Sequence, residues 1–134
     1  LNKVRVLQRK AELAHNTSDI KLLQTSKLYA NPVCGDNIAF KIIKKNDVII
    51  EILHYTNSCS ICNASISVLK ELIQGKTIKE VHVIADAVKD FLTQPNISID
   101  KRLVILSSIY KYPERYMCAY LPFRSLISEI YNEE

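Results

Sequence analysis

The stretch Asn37-Ile38-Ala39-Phe40-Lys41-Ile42-Ile43, followed by Lys44-Lys45-Asn46-Asp47 and Val48-Ile49-Ile50-Glu51-Ile52, decides the fold. Ile38, Phe40 and Ile42 alternate with Ala39, Lys41 and Ile43, a period of two, and a β-branched run returns after a polar turn, so the stretch predicts a β-hairpin. Beyond Ser58 the period becomes helical, with Ile61, Ala64, Val68, Leu72 and Ile73 on one face and Gly75 as the C-terminal stop. Thr77-Ile78-Lys79-Glu80 has the form of a capping box, and Val81, Ile84, Val88 and Leu92 continue a second helix that ends before Pro95. Ser98 is placed to cap a third, carrying Leu103, Leu106, Ile109 and Tyr110 and stopped or redirected at Tyr112-Pro113. Pro122 is expected to break any helix running through from Arg115 unless it opens a new one, so a terminal helix is expected with Phe123, Leu126, Ile127 and Ile130 inward. Upstream of the hairpin, Leu28-Tyr29-Ala30 suits a short strand, and Val4, Leu7, Ala11 and Ala14 recur at helical spacing in a charged segment. Helix, strands, then helices gives an α+β fold.

The chain has 134 residues with 48% apolar and 24% charged residues, which suits one globular domain over 1–134 able to bury a core without a metal or disulfide. A metal would then serve chemistry. No Ser/Gly/Pro-rich linker or repeat divides it. The excess of 18 Lys and Arg over 14 Asp and Glu is small and spread along the chain, so no nucleic-acid partner is expected. The longest apolar run, Tyr116 to Leu121, is far short of the roughly 20 residues of a membrane-spanning helix. Leu1-Asn2-Lys3-Val4-Arg5 does not read as a secretory signal, so a reducing cytosolic setting is expected.

In that setting Cys34, Cys59, Cys62 and Cys118 read as thiols, metal ligands or redox groups rather than disulfides. Cys34-Gly35-Asp36 lies in a loop that can present a thiolate and a carboxylate together, and Gly35 permits a tight turn. Cys59 falls at a helix start, where unpaired N–H groups favour thiolate over thiol. Three thiolates and a carboxylate can complete a tetrahedral site for Zn²⁺ or an iron–sulfur cluster. The opposite reading is that the cysteines are buried and structural, because separations of 25 and 59 residues match no zinc-finger pattern. Cys59-Ser60-Ile61-Cys62 is also a Cys-x-x-Cys, but the βαβ pattern of a thioredoxin is absent.

Three motifs carry a resemblance. Asn31-Pro32-Val33-Cys34-Gly35-Asp36, then Cys59-Ser60-Ile61-x-x-Ala64-Ser65-x-Ser67 followed by Gly75-Lys76, then Tyr112-Pro113-x-Arg115-x-x-Cys118-Ala119-x-Leu121, together resemble the NifU/IscU/SufU family of iron–sulfur assembly proteins. The resemblance implies a small antiparallel sheet packed by helices, with Cys34, Asp36, Cys59 and Cys118 gathered at one exposed end to bind Zn²⁺ or a nascent iron–sulfur cluster. It implies a cysteine desulfurase as partner, with apo iron–sulfur proteins as possible acceptors, and Cys34 as the catalytic sulfur acceptor. Met117, where IscU-type members carry His, together with Arg115 and the long interval from Cys59 to Cys118, resembles the SufU branch. The role implied is that of a scaffold or of a zinc-dependent sulfurtransferase partner of the desulfurase.

Two positions depart from the family pattern: Ser58 replaces a common Gly, and Cys62 replaces a common Ser. Cys62 is read as a small buried residue, with a spare ligand or resolving thiol as the alternative. His15, His54 and His82 read as surface or packing residues, and the tyrosines Tyr110, Tyr112, Tyr116, Tyr120 and Tyr131 as core or interface packing. Arg115 is read as a charge that stabilises a thiolate at Cys118. A metal-free interaction module with structural cysteines stays open as the second functional reading.

Overall fold

A computed structural model describes residues 27–31, 35–94 and 101–132. Cys34, Ser98 and the segment containing Val4, Leu7, Ala11 and Ala14 lie outside the described residues. Strands β1 (Tyr29–Asn31), β2 (Asp36–Lys45) and β3 (Val48–Asn57) form an antiparallel sheet in that order. The hairpin turns at Asn46 and Asp47, with φ of 53° and 66°. Two consecutive left-handed residues make the turn whose twist suits flanking strands, and Asn and Asp adopt it at low cost. Ile38, Phe40 and Ile42 are buried and lie opposite Thr56, His54 and Ile52. A register shift after Ile43 leaves Ile50 and Glu51 consecutive on the exposed side, so the alternation of β3 resumes only at Ile52.

Helix α1 (Ser60–Ile73) packs its buried Ala64, Val68, Leu69, Leu72 and Ile73 into this core. Gly75, at φ 84°, ends it as expected, and its N–H donates to Ile49 O at 2.7 Å while Ile49 N–H donates to Lys76 O at 2.9 Å. The helix end is thereby sewn to β3. Helix α2 (Ile78–Thr93) opens with the expected capping box: Glu80 N–H donates to Thr77 Oγ1 at 3.2 Å, and Thr77 N–H to Glu80 Oε1 at 3.1 Å. It buries Val81, Ala85, Val88, Phe91 and Leu92.

Two expectations are corrected. The segment expected to form a third α-helix instead forms 3₁₀ turns at Lys101–Leu106, Ile109–Lys111 and Pro113–Arg115. Its apolar anchors Leu103, Leu106 and Ile109 are spaced by three, the 3₁₀ period, and all three are buried whereas Tyr110 is exposed. Helix α3 (Tyr116–Asn132) runs straight through Pro122. An internal proline costs about 3 kcal/mol, but Leu121, Phe123, Leu126 and Ile130 are fully buried around it at about 1.5–3 kcal/mol each, so packing prevails. Ser65 Oγ from α1 also donates to Ala119 O at 2.5 Å and so ties α1 to this part of the helix. The consequence is positional: Cys118 sits in the first turn of a long helix, not in a loop before one. Among the described residues no helix is long and apolar enough to cross a membrane.

The capping box yields a prediction. Thr77→Ala should destabilise the fold by about 1 kcal/mol, read as a lower denaturant midpoint at unchanged slope. The Thr77 N–H, with its hydroxyl, holds the Glu80 carboxyl below its ordinary pKa. A depressed carboxyl stabilises the fold above its unfolded pKa and loses that contribution as acid protonates it. Thr77→Ala keeps that N–H and removes only the hydroxyl, so only the hydroxyl's share of the Glu80 interaction should fade below about pH 5, the rest of the deficit being independent of pH.

Candidate metal centre

Asp36, Cys59 and Cys118 come from three separate elements and meet at one end of the sheet. Gly35, at φ 70°, occupies a conformation that L side chains rarely adopt, and its N–H donates to Asn31 O at 2.8 Å. That turn delivers Asp36, buried, as the first residue of β2. Cys59 is the N-cap of α1, and its sulfur accepts the Cys62 N–H at 3.5 Å. Its own N–H donates to Asp36 Oδ1 at 2.8 Å. Cys118, fully buried, projects from the first turn of α3.

One carboxylate oxygen and two sulfurs thus lie within 4.8 Å of one another. Cys59 Sγ stands 3.7 Å from Asp36 Oδ2. In a tetrahedral zinc site, bonds of about 2.3 Å to sulfur and 2.0 Å to oxygen place those two atoms about 3.5 Å apart, so the spacing suits an ion between them. Because Oδ1 already holds the Cys59 N–H, Oδ2 is the oxygen left facing the sulfurs, and Asp36 would bind through one oxygen only. The donor set of soft sulfur with one hard oxygen fits Zn²⁺ or iron. Three donors leave one tetrahedral position for a further ligand; Cys34, the expected one, lies outside the described residues.

The electrostatics favour a cation here. Burial pushes the Cys59 thiol above its ordinary pKa and the Asp36 charge adds to this, outweighing the N–H of Cys62 and a hydrogen bond with Cys118. The helix-start N–H groups do favour the thiolate as expected, but burial outweighs them. A bound divalent ion would reverse the balance and expel the proton. Arg115 Nη1 lies 3.9 Å from Cys118 Sγ, the place expected for a thiolate-stabilising charge.

The remaining expected residues fall elsewhere. Cys62 is fully buried in the apolar core and stands outside the ligand cluster. His54 is buried with Nδ1 3.2 Å from Lys70 Nζ, and His82 pairs with the Tyr131 hydroxyl at 3.0 Å. His15 lies outside the described residues. Tyr116 and Tyr120 stack on each other, whereas Tyr110, Tyr112 and Tyr131 are exposed. Ser58, the departure ahead of Cys59, joins a polar cluster in which Asn63 Oδ1 accepts from Thr56 Oγ1 at 2.7 Å and Ser58 Oγ at 2.8 Å, and Asn63 Nδ2 donates to Ser58 O at 3.2 Å. That cluster pins the turn carrying Cys59. Sequence reasoning missed Asn63 because its partners come from a strand end and a turn, for which no local spacing rule exists.

The same architecture and residue order occur in known proteins. The family model described as NifU-like N terminal domain matches residues 10–119. An iron–sulfur cluster assembly scaffold protein, IscU, of Streptococcus pyogenes serotype M1 is 29% identical over 99 residues, which span 72% of this chain and 62% of that protein. The aligned stretch thus covers less than two thirds of the streptococcal protein. A zinc-dependent sulfurtransferase, SufU, of Bacillus subtilis (strain 168) is 29% identical over 107 residues, 78% of this chain and 73% of its own length. Among solved structures, a candidate iron–sulfur cluster assembly scaffold for the SUF system from thermophilic Fervidobacterium islandicum AW-1 superposes with a TM-score of 0.74 at 22% identity, covering 93% of this chain and 92% of that one. The N-terminal part of a nitrogen-fixing NifU-like protein from Brucella abortus gives 0.71 at 18% identity, covering 96% and 95%. These two likenesses establish the α+β fold, with its small antiparallel sheet packed by helices. Since the family model covers most of the sequence, including Cys34, Cys59 and Cys118, the chain belongs to the NifU-like N terminal domain family.

Proposed function

We propose that this chain, as a single domain working in a reducing cytosol, is an iron–sulfur cluster assembly protein. In this reading it holds Zn²⁺ or a nascent cluster through Cys34, Asp36, Cys59 and Cys118 and receives sulfur from a cysteine desulfurase. One observation supports it above all: a carboxylate and two thiols from distant parts of the chain lie within 4.8 Å of one another. The two bacterial relatives, named as an assembly scaffold and as a zinc-dependent sulfurtransferase, support it from the side of kinship. Met117 and Arg115 incline the reading toward the sulfurtransferase branch.

Bound Zn²⁺ would act as a Lewis acid that keeps coordinated sulfur deprotonated near neutral pH. The residues then divide the work. Cys59 and Cys118, each at a helix start, anchor the ion with soft sulfur. Asp36, a hard oxygen, is the exchangeable ligand. Cys34 is the sulfur acceptor: its thiolate attacks the terminal sulfur of the desulfurase persulfide, the donor's S–S bond breaks, a new S–S bond forms on Cys34, and the donor cysteine leaves as thiolate. The exchange is redox neutral. Arg115 offsets negative charge at Cys118 throughout, and apo iron–sulfur proteins are the downstream acceptors.

Protein purified without chelator should carry about one zinc or iron per chain, and Cys59→Ser should lose it, since three retained donors hold far less tightly than four. Metal analysis checks this, and a stably folded, metal-free wild type would instead favour the interaction module. With a cysteine desulfurase and labelled cysteine, Cys34→Ser should lose sulfur uptake while the Cys34 peptide of the wild type gains one sulfur by mass spectrometry. Undiminished uptake by Cys34→Ser would exclude Cys34 as acceptor.

A further inference from the structure

Asn31 ends β1 with a side chain that is only 2% exposed. Its Nδ2 lies 3.4 Å from Asp36 Oδ2 and 3.6 Å from Cys118 Sγ. An ionised carboxylate only accepts hydrogen bonds, so the amide nitrogen, not the amide oxygen, must face it. That nitrogen carries two hydrogens in a fixed plane, enough for two acceptors at once. We infer that Asn31 is a positioning residue of the metal centre, its amide donating one N–H to Asp36 Oδ2 and the other to Cys118 Sγ. The inference rests on the metal-site reading above and deepens it.

The geometry gives this amide a specific task beside the longer Cys59 Sγ contact to the same Oδ2. The Cys59 N–H fixes Asp36 Oδ1 and leaves the carboxylate free to pivot about that bond. Asn31 fixes Oδ2, which removes the pivot and aims that oxygen at the two sulfurs. At Cys118 an N–H donated to sulfur fixes the direction of its lone pairs and so orients the sulfur toward the Asp36 oxygen. The residue joins the start of β2 to the first turn of α3, two elements that supply different ligands. Its backbone does a separate job, accepting the Gly35 N–H at 2.8 Å, and a side-chain substitution leaves that bond in place. Asn31→Leu is the suitable variant, having the same branched shape and number of side-chain heavy atoms and being unable to donate.

The test loads wild type and Asn31→Leu with Co²⁺ and displaces it with Zn²⁺. Loss of a partner that orients a metal ligand typically weakens binding about 10–100-fold, and Asn31→Leu should show a loss of that order with shifted sulfur-to-cobalt charge-transfer bands. A role confined to holding β1 would lower the melting temperature and leave those bands unmoved. A second measurement needs no variant: in ¹¹³Cd-loaded wild type, the side-chain amide protons of Asn31 should couple to the metal through the Cys118 sulfur. Wild-type affinity and spectrum in Asn31→Leu, or an uncoupled Asn31 amide in stoichiometrically loaded protein, would overturn the inference while leaving the metal site standing. A wild type that takes up neither Co²⁺ nor Cd²⁺ would overturn the metal site and this role with it.

Discussion

The hydrogen bond from the Cys59 N–H to Asp36 Oδ1, at 2.8 Å, is the constraint on which the site depends. It ties the first residue of β2 to the N-cap of α1, so the sheet and the helix cannot shift against each other without losing a charge-assisted bond. Because the carboxylate is buried, that loss would leave a polar group unsatisfied, at a cost of about 1–3 kcal/mol or more for a charged group. Among the described residues, every buried side-chain nitrogen and oxygen has a partner. Asp36 and Cys59 are therefore held in register by hydrogen bonds of their own.

Burying these groups together disfavours a thiolate at Cys59 unless a cation is close by. Burial, with the Asp36 charge beside it, makes Cys59 hold its proton more tightly than an exposed thiol. Arg115 near Cys118 offsets part of the charge from the edge of the site. The helix start at Cys59 contributes N–H groups that favour its thiolate, but burial outweighs them. A divalent ion, in the proposed reading, would supply the missing positive charge, and its binding would be coupled to proton release.

Much of this was legible in the sequence, and the reasons differ by element. The hairpin could be read because Ile38, Phe40 and Ile42 alternate and the Asn46-Asp47 pair suits left-handed φ. Helix α2 announced itself through Thr77 and Glu80, whose bonds are local. The site was legible through motif order more than spacing, since Asp36 and Cys118 meet only through tertiary packing. The path through Pro122 was not legible, because the burial of Leu121 and Phe123 that offsets the proline comes from distant partners. The 3₁₀ segment was misread as α-helix because Leu103, Leu106 and Ile109 fit either period over so few turns. Asn31 stood in a quoted motif, yet nothing local shows that its amide reaches a sulfur in α3.

X-ray absorption at the zinc edge of the zinc-loaded protein tests the central claim most directly. Expected is a first shell of sulfurs at about 2.3 Å with one oxygen at about 2.0–2.2 Å, the oxygen lost in Asp36→Ala. A shell of nitrogen and oxygen alone, or of sulfur alone, would contradict the convergence of Asp36 with Cys59 and Cys118 on one ion.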